Sequence, residues 1–336
     1  MFKRTLGIIS LAALIFVLAA CSDKEDNSSE NSSEDLKIFT TVYPMQFFAE
    51  QIAGDQASVE SILPAGSDPH TYEPTSKKMV EIAEADAFIY NGAGLESYAK
   101  KISESIQSED VKILEASKGI DLEEHVHNHE GEEGNHEDDA HAHEDEGNHE
   151  EEHEGHDHGN QDPHVWLDPI RSIQLAENVK DTLVELEPEQ EETFNKNFEK
   201  LKEKLKNLDQ EYHAQLESLP KNKIIVSHSA YGYWEQAYGI EQIAVSGLSP
   251  TNEPSQKELQ TIIEKAEQHN LNHVFFEQNV TPKVADVVRK EIGAETLRIH
   301  NLSVLTEEDI NNEEDYFTLM EYNLDQLTTA LAGSSP

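Results

Sequence analysis

The chain has 336 residues, with 68 Asp or Glu against 25 Lys or Arg, giving a formal net charge of −43. Such a surface repels polyanions, which excludes nucleic acid and an anionic membrane face as partners and favours cations. A single cysteine, Cys21, excludes an intramolecular disulfide.

Lys3 and Arg4 precede an uncharged apolar run from Leu6 to Ala20 that is short for a membrane span. Residues 1–20 therefore read as the basic and apolar regions of an export signal. The run closes Leu18-Ala19-Ala20-Cys21, which resembles the lipobox of bacterial lipoproteins and makes Cys21 the expected lipidation site. Residues 22–34 are only Ser, Asp, Glu, Asn and Lys, too polar to fold, so 21–35 is expected to be a flexible tether. What remains exceeds one core and predicts two lobes.

Strand-like runs at 37–43, 57–63, 87–90 and 111–114 alternate with helical patterns at 45–52, 76–83 and 95–106. Strict alternation of this kind predicts βαβ units and a mostly parallel sheet. Residues 121–162 break it with ten His, eighteen Asp or Glu and no Lys or Arg, which predicts a disordered insertion. An amphipathic helix follows over 170–186, stopped by Pro188. From 189 to 219 there is no Gly or Pro, and Phe194, Phe198, Leu201, Leu205, Leu208, Tyr212, Leu216 and Leu219 recur at helical spacing. A helix of about 30 residues is about 45 Å long, enough to cross the molecule or to form half of a coiled coil. The alternation then resumes, with strands at 223–227, 243–246, 274–277 and 296–299. Helices fall at 255–268, 282–292 and 316–331, the first with Ser255 as N-cap. The expected architecture is α/β, a first lobe over 36–188, a linker helix over 189–219 and a second lobe over 220–336.

Four candidate ligands stand at or beyond strand ends, the edge at which open α/β sheets bind ligands. His70 sits in a loop stiffened by Pro64, Pro69 and Pro74. His164 sits between Pro163 and Pro169, and His228 and Glu277 end apolar runs. Three imidazoles and a carboxylate suit zinc, although spacing alone does not bring them together. Asp68, Glu73 and Asp168 are candidate acceptors for the imidazole protons, or else caps of turns and helices. His213, His269, His273 and His300 read as structural, and Trp166 and Trp234 as cleft or core packing.

Four segments, Pro69-His70-Thr71-Tyr72-Glu73-Pro74-Thr75, Asp162-Pro163-His164-Val165-Trp166-Leu167-Asp168-Pro169, Ser227-His228 and Phe276-Glu277-Gln278, resemble the ligand motifs of the metal-binding lipoproteins of bacterial ABC importers, in their ZnuA-like zinc branch. The resemblance spans about residues 36–332. It implies two α/β lobes joined by a rigid helix, with zinc held by His70, His164, His228 and Glu277 in the cleft. It also implies delivery to a membrane permease and its ATPase from the outer face of the cytoplasmic membrane. Manganese-binding relatives typically carry Glu and Asp at the third and fourth positions, so His228 and Glu277 point to zinc. The insertion is likewise a trait of the zinc branch. Its His125, His127, His129, His136, His141, His143, His149, His153, His156 and His158 offer weak, numerous metal sites that raise the local zinc concentration. A manganese or iron binder on the same fold and a secreted zinc hydrolase are the alternatives. The chain has no His-Glu-x-x-His motif, and a non-enzymatic role is expected.

Overall fold

Apolar runs without alternation need cover on both faces, and the central strands obtain it. The computed structural model describes residues 35–124, 161–279 and 282–333. The described strands form two parallel four-stranded sheets. In the first, β1 (Leu36–Thr40), β2 (Ala57–Ser61), β3 (Ala87–Tyr90) and β4 (Lys112–Glu115) lie in the order β2-β1-β3-β4. In the second, β5 (Lys223–His228), β6 (Glu241–Ser246), β7 (His273–Glu277) and β8 (Glu295–Ile299) repeat that order as β6-β5-β7-β8. The central strands are nearly continuously buried, whereas outer strands such as β2 alternate with partial exposure. Each order reverses between its two central strands, which opens a crevice at their carboxyl ends.

The first lobe's crossovers carry α1 (Tyr43–Ala53), α2 (Ser76–Ala83) and α3 (Ser97–Ser105). Strand β1 ends three residues earlier than its apolar run because Pro44 falls in the first turn of α1, where a missing N–H costs nothing. Two long helices follow, α4 (Pro169–Leu186) and α5 (Glu191–Leu216). The expected 189–219 helix is shorter at both ends: Pro188–Gln190 winds as a 3-10 turn, and the chain leaves the helix ahead of Pro220. At 26 residues it is about 39 Å long. It packs against α1 and α4 on one side of the molecule. At the other it meets α6 (Gly232–Tyr238) and the closing helix α10 (Tyr316–Leu331). Its apolar stripe is therefore spent on both lobes within one chain, not on a coiled coil. The second lobe adds α7 (Gln256–Gln268), α8 (Lys283–Glu291) and α9 (Glu307–Asn311). The short α6 and α9 escape periodicity analysis because seven and five residues hold too few turns.

One apolar cluster runs without interruption through both lobes, from Ile38 and Phe88 through Leu175, Phe198 and Trp166 to Trp234, Val226 and Leu327. A smaller one, around Ile225, Val274 and Val288, lies in the second lobe. The lobes are also tied by directional bonds. Trp166 Nε1 donates to the Asn301 carbonyl at 2.8 Å and Trp234 Nε1 to the Leu167 carbonyl at 2.8 Å. The Tyr316 hydroxyl donates to the Trp166 carbonyl at 2.7 Å, and its ring stacks on Phe47 at 5.8 Å. Shared core and shared hydrogen bonds oppose wide hinge motion, since opening would expose the largest buried side chains.

The described residues include both ends of the insertion expected over 121–162. Glu124 pairs with Gln161 in an antiparallel bridge, and the Asp162 N–H donates to the Glu123 carbonyl at 2.8 Å. Arg171 binds the Asp121 carbonyl, Glu123 and Asp168 at once, so one guanidinium gathers the stem that composition alone assigned to disorder. The ten insertion histidines and Cys21 lie outside the described residues. Among the described residues no helix is long and apolar enough to cross a membrane.

Candidate metal centre

The carboxyl edges of the two sheets face a small cavity of about 10 Å³ whose wall includes His70, His164, His228, Glu277, Asn279 and Asn301. His70 arrives on the long loop after β2. Within it the Asp68 carboxylate accepts the His70 backbone N–H at 2.9 Å. The Gly66 N–H donates across the lobes to the Leu305 carbonyl at 2.9 Å, and the Asn279 amide donates to the Ser67 carbonyl at 3.3 Å. His164 precedes a 3-10 turn, Val165–Leu167, that leads into α4, and it is 1% exposed. His228 is the last residue of β5 and Glu277 the last of β7, each buried.

The ligand atoms of His70, His164 and His228 all lie within 4.8 Å of one another. Their ring centroids are separated by 5.3 to 6.1 Å, and the rings are tilted to edge-on. His164 Nε2 and His228 Nε2 approach to 3.4 Å. Asp162 Oδ1 accepts both the His164 backbone N–H at 2.9 Å and Nδ1 at 2.8 Å. A carboxylate only accepts, so the ring proton sits on Nδ1 and the lone pair of Nε2 is turned to the cluster. That is the arrangement a metal-bound imidazole needs.

Glu277 lines the same cavity but stands outside the three-imidazole group. Its Oε1 lies 2.5 Å from His228 Nδ1, yet off the direction of a hydrogen bond, so Nδ1 has closeness without a bond. The Tyr231 hydroxyl donates to Oε1 at 3.3 Å and the Asn301 amide to Oε2 at 3.0 Å. Burial, reinforced by the Glu277 charge, pushes the Tyr231 hydroxyl far up, which keeps it a donor. Among the described residues the carboxylate has no Lys or Arg partner, an arrangement that a bound cation would compensate.

The residues expected to orient the imidazoles have other work. Asp168 caps α4, accepting the Ile170 N–H at 2.7 Å and pairing with Arg171, and Asp68 closes its own turn. Glu73 is exposed. The acceptor for His164 is Asp162, two residues away in the motif and concealed by the acidic run before it. His213 is half exposed on α5, against Tyr238, and His269 caps α7. His273 opens β7, with its imidazole pushed down by burial. The two tryptophans are wholly buried.

His300 is structural. Its Nδ1 accepts the Leu302 N–H at 3.0 Å and its Nε2 meets Asp309 at 3.2 Å. Burial alone would raise the Asp309 carboxyl. Hydrogen bonds from His300 and Thr306 outweigh it and hold the group at about 2 against an ordinary 3.8. Because the folded value is depressed, the contribution is complete above 3.8 and is lost as pH falls through 2. Asp309→Asn is therefore expected to lower the melting temperature at pH 7. That difference should close between about pH 4 and pH 2, read from thermal unfolding of both proteins across that range. A gap that persists unchanged at pH 2 would contradict the assignment.

With the geometry in place, comparison with known proteins identifies relatives. The family model described as ZnuA, zinc-uptake complex component A periplasmic, matches residues 38–330. The zinc-binding lipoprotein AdcA of Streptococcus pneumoniae is 36% identical over 333 residues, covering 97% of this chain and 60% of that protein. The high-affinity zinc uptake system protein ZnuA of Bacillus subtilis is 35% identical over 332 residues, covering 98% of this chain and 99% of that one. The crystal structure of the Zn(II)-bound ZnuA-like domain of S. pneumoniae AdcA superposes with a TM-score of 0.70 at 33% identity, over 89% of this chain and all of that domain. The chain thus spans about three fifths of the length of AdcA and nearly all of the B. subtilis protein.

Proposed function

The chain belongs to the ZnuA family of zinc-uptake components, and from that premise we propose that it captures a zinc ion in the cleft and delivers it to a membrane importer. The observation that carries this reading is the group of three imidazoles whose ligand atoms lie within 4.8 Å, two of them on fully buried rings. Neutral nitrogen donors of this kind favour zinc over manganese, which prefers oxygen. We assign His70, His164 and His228 as ligands and Glu277 as the fourth, supplying charge and closing the shell. A closed shell of four protein ligands suits capture and release, whereas a hydrolytic zinc keeps a position for water. The site is on this reading a carrier, not an enzyme.

The zinc is cargo. Ligands from both lobes must part for it to leave, and the lobe-to-lobe bonds of Trp166 and Tyr316 limit that parting in the free protein. A permease with its ATPase is the proposed partner that separates them. The protein would work at the outer face of the cytoplasmic membrane, held by lipid on Cys21. The insertion histidines, from His125 to His158, would gather zinc weakly near the cleft. The lobe boundaries follow the same reading: 36–188, the helix within 189–219, and 220–336.

Asp162→Ala tests the orientation of His164. It removes the oxygen that accepts the Nδ1 proton and the negative charge behind the ring, so zinc affinity should fall about 10–100-fold. Competition titration against a chelating dye reads this directly. Unchanged affinity would mean that Asp162 does not set the His164 tautomer in the zinc-bound state.

A further inference from the structure

We infer that Asn301 is a positioning residue that sets the metal specificity of the cleft by holding one oxygen of Glu277 away from the ion. The inference rests on the zinc reading above and adds a cause for its selectivity.

Glu277 has two oxygens with different surroundings. Oε1 lies 2.5 Å from His228 Nδ1 and accepts the Tyr231 hydroxyl at a longer 3.3 Å. Oε2 accepts the Asn301 Nδ2 amide at 3.0 Å. The amide orientation follows from its other end, because Asn301 Oδ1 accepts three donors: the Ser303 N–H at 3.0 Å, the Ser303 hydroxyl at 2.8 Å and the Gln278 amide at 2.9 Å. Three donors identify that atom as the oxygen, so the NH₂ group must point at Glu277.

The backbone fixes the amide as firmly. The Asn301 N–H donates to Gln278 Oε1 at 3.2 Å and its carbonyl accepts Trp166 Nε1 at 2.8 Å. The next residue, Leu302, is fully buried with φ of +58°. That is left-handed backbone, which a bulky L side chain rarely adopts and which persists only where its surroundings over-determine it. Here the Leu302 N–H is held by His300 Nδ1, and the Ser303 carbonyl accepts the Tyr43 N–H from the other lobe at 2.9 Å. A strained turn is thus pinned on both sides of the residue that grips Glu277.

The chemical consequence follows from coordination preference. A carboxylate with both oxygens available chelates an ion and raises its coordination number, which suits manganese in an oxygen-rich, six-coordinate shell. A carboxylate whose Oε2 is gripped by a fixed amide at 3.0 Å, while Oε1 meets only the longer Tyr231 contact, turns Oε1 alone to the ion. With three imidazoles this gives four donors, the number zinc favours. Asn301 acts through Glu277 and need not touch the ion.

The test is the ratio of zinc to manganese affinity in the full chain and in two variants. Asn301→Ala removes the donor. Asn301→Asp keeps an oxygen for Ser303 and Gln278, so it preserves the turn if the alanine variant fails to fold, and it replaces the donor by a second oxygen. Both should shift the ratio toward manganese by at least about tenfold. Cobalt(II) should report the same change, losing the intense visible bands of a four-coordinate site in favour of the weak absorption of higher coordination. A merely structural asparagine would weaken both metals alike and leave the ratio and the cobalt spectrum unchanged, and that result overturns the inference. A wild-type chain that binds zinc with no preference over manganese overturns it as well. One that binds neither metal overturns the parent reading, and this one with it.

Discussion

His228→Ala is expected to lower zinc affinity by more than about a hundredfold, beyond the roughly 10–100-fold typical of changes to residues that only orient ligands. The residue ends the central strand β5, and its Nε2 lies 3.4 Å from that of His164. Truncation removes one of the three nitrogen donors whose ligand atoms lie within 4.8 Å of one another. The metal-free fold should tolerate the change. His228 Nδ1 has no hydrogen bond to lose, and Glu277 keeps its donors Tyr231 and Asn301. The expected pattern is therefore a large loss of zinc affinity with little change in metal-free melting temperature. Equal losses in both would make His228 a packing residue instead.

Trp166→Ala is expected to destabilise the protein by about 3–5 kcal/mol, the usual cost of truncating a fully buried tryptophan. Trp166 is wholly buried beside His164, and its indole N–H satisfies the Asn301 carbonyl of the opposite lobe. Truncation leaves a void in the apolar cluster common to both lobes and an unpaired carbonyl on Asn301, the residue that holds Glu277. In a chain of this size, a loss of that order lowers the melting temperature by roughly 5–8 °C. Calorimetry of the variant should still show one transition, because the lobes share a core. Two separated transitions would mean that each lobe folds on its own and that the shared core does not couple them.

Much of this was legible in the sequence because the informative segments are long. The apolar runs of the central strands and the stripe of α5 each recur over enough residues to set their type, and the helices 76–83 and 316–331 stand where their patterns begin and end. The three histidines were legible as candidates because they stand at or beyond strand ends, the edge at which open α/β sheets bind ligands. Their convergence was not, since it depends on two sheets facing each other across more than a hundred residues of chain. Asp162 was hidden by composition: it closes a run of acids, and only the fold shows Tyr233 and the Glu123 carbonyl holding its backbone in place beside His164. Asn301 gave no signal at all. Its role needs the side chain, the left-handed Leu302 and the carboxylate of a distant strand together, and none of these has a sequence period.

The most direct test of the account is a zinc and manganese titration of the chain from Ser22 onward with residues 125–158 removed. One tight site that prefers zinc is the predicted result, because the three imidazoles and Glu277 lie in the cleft and owe nothing to the insertion. No tight site in that protein would contradict the account, since the insertion would then be the receptor and the cleft histidines something else.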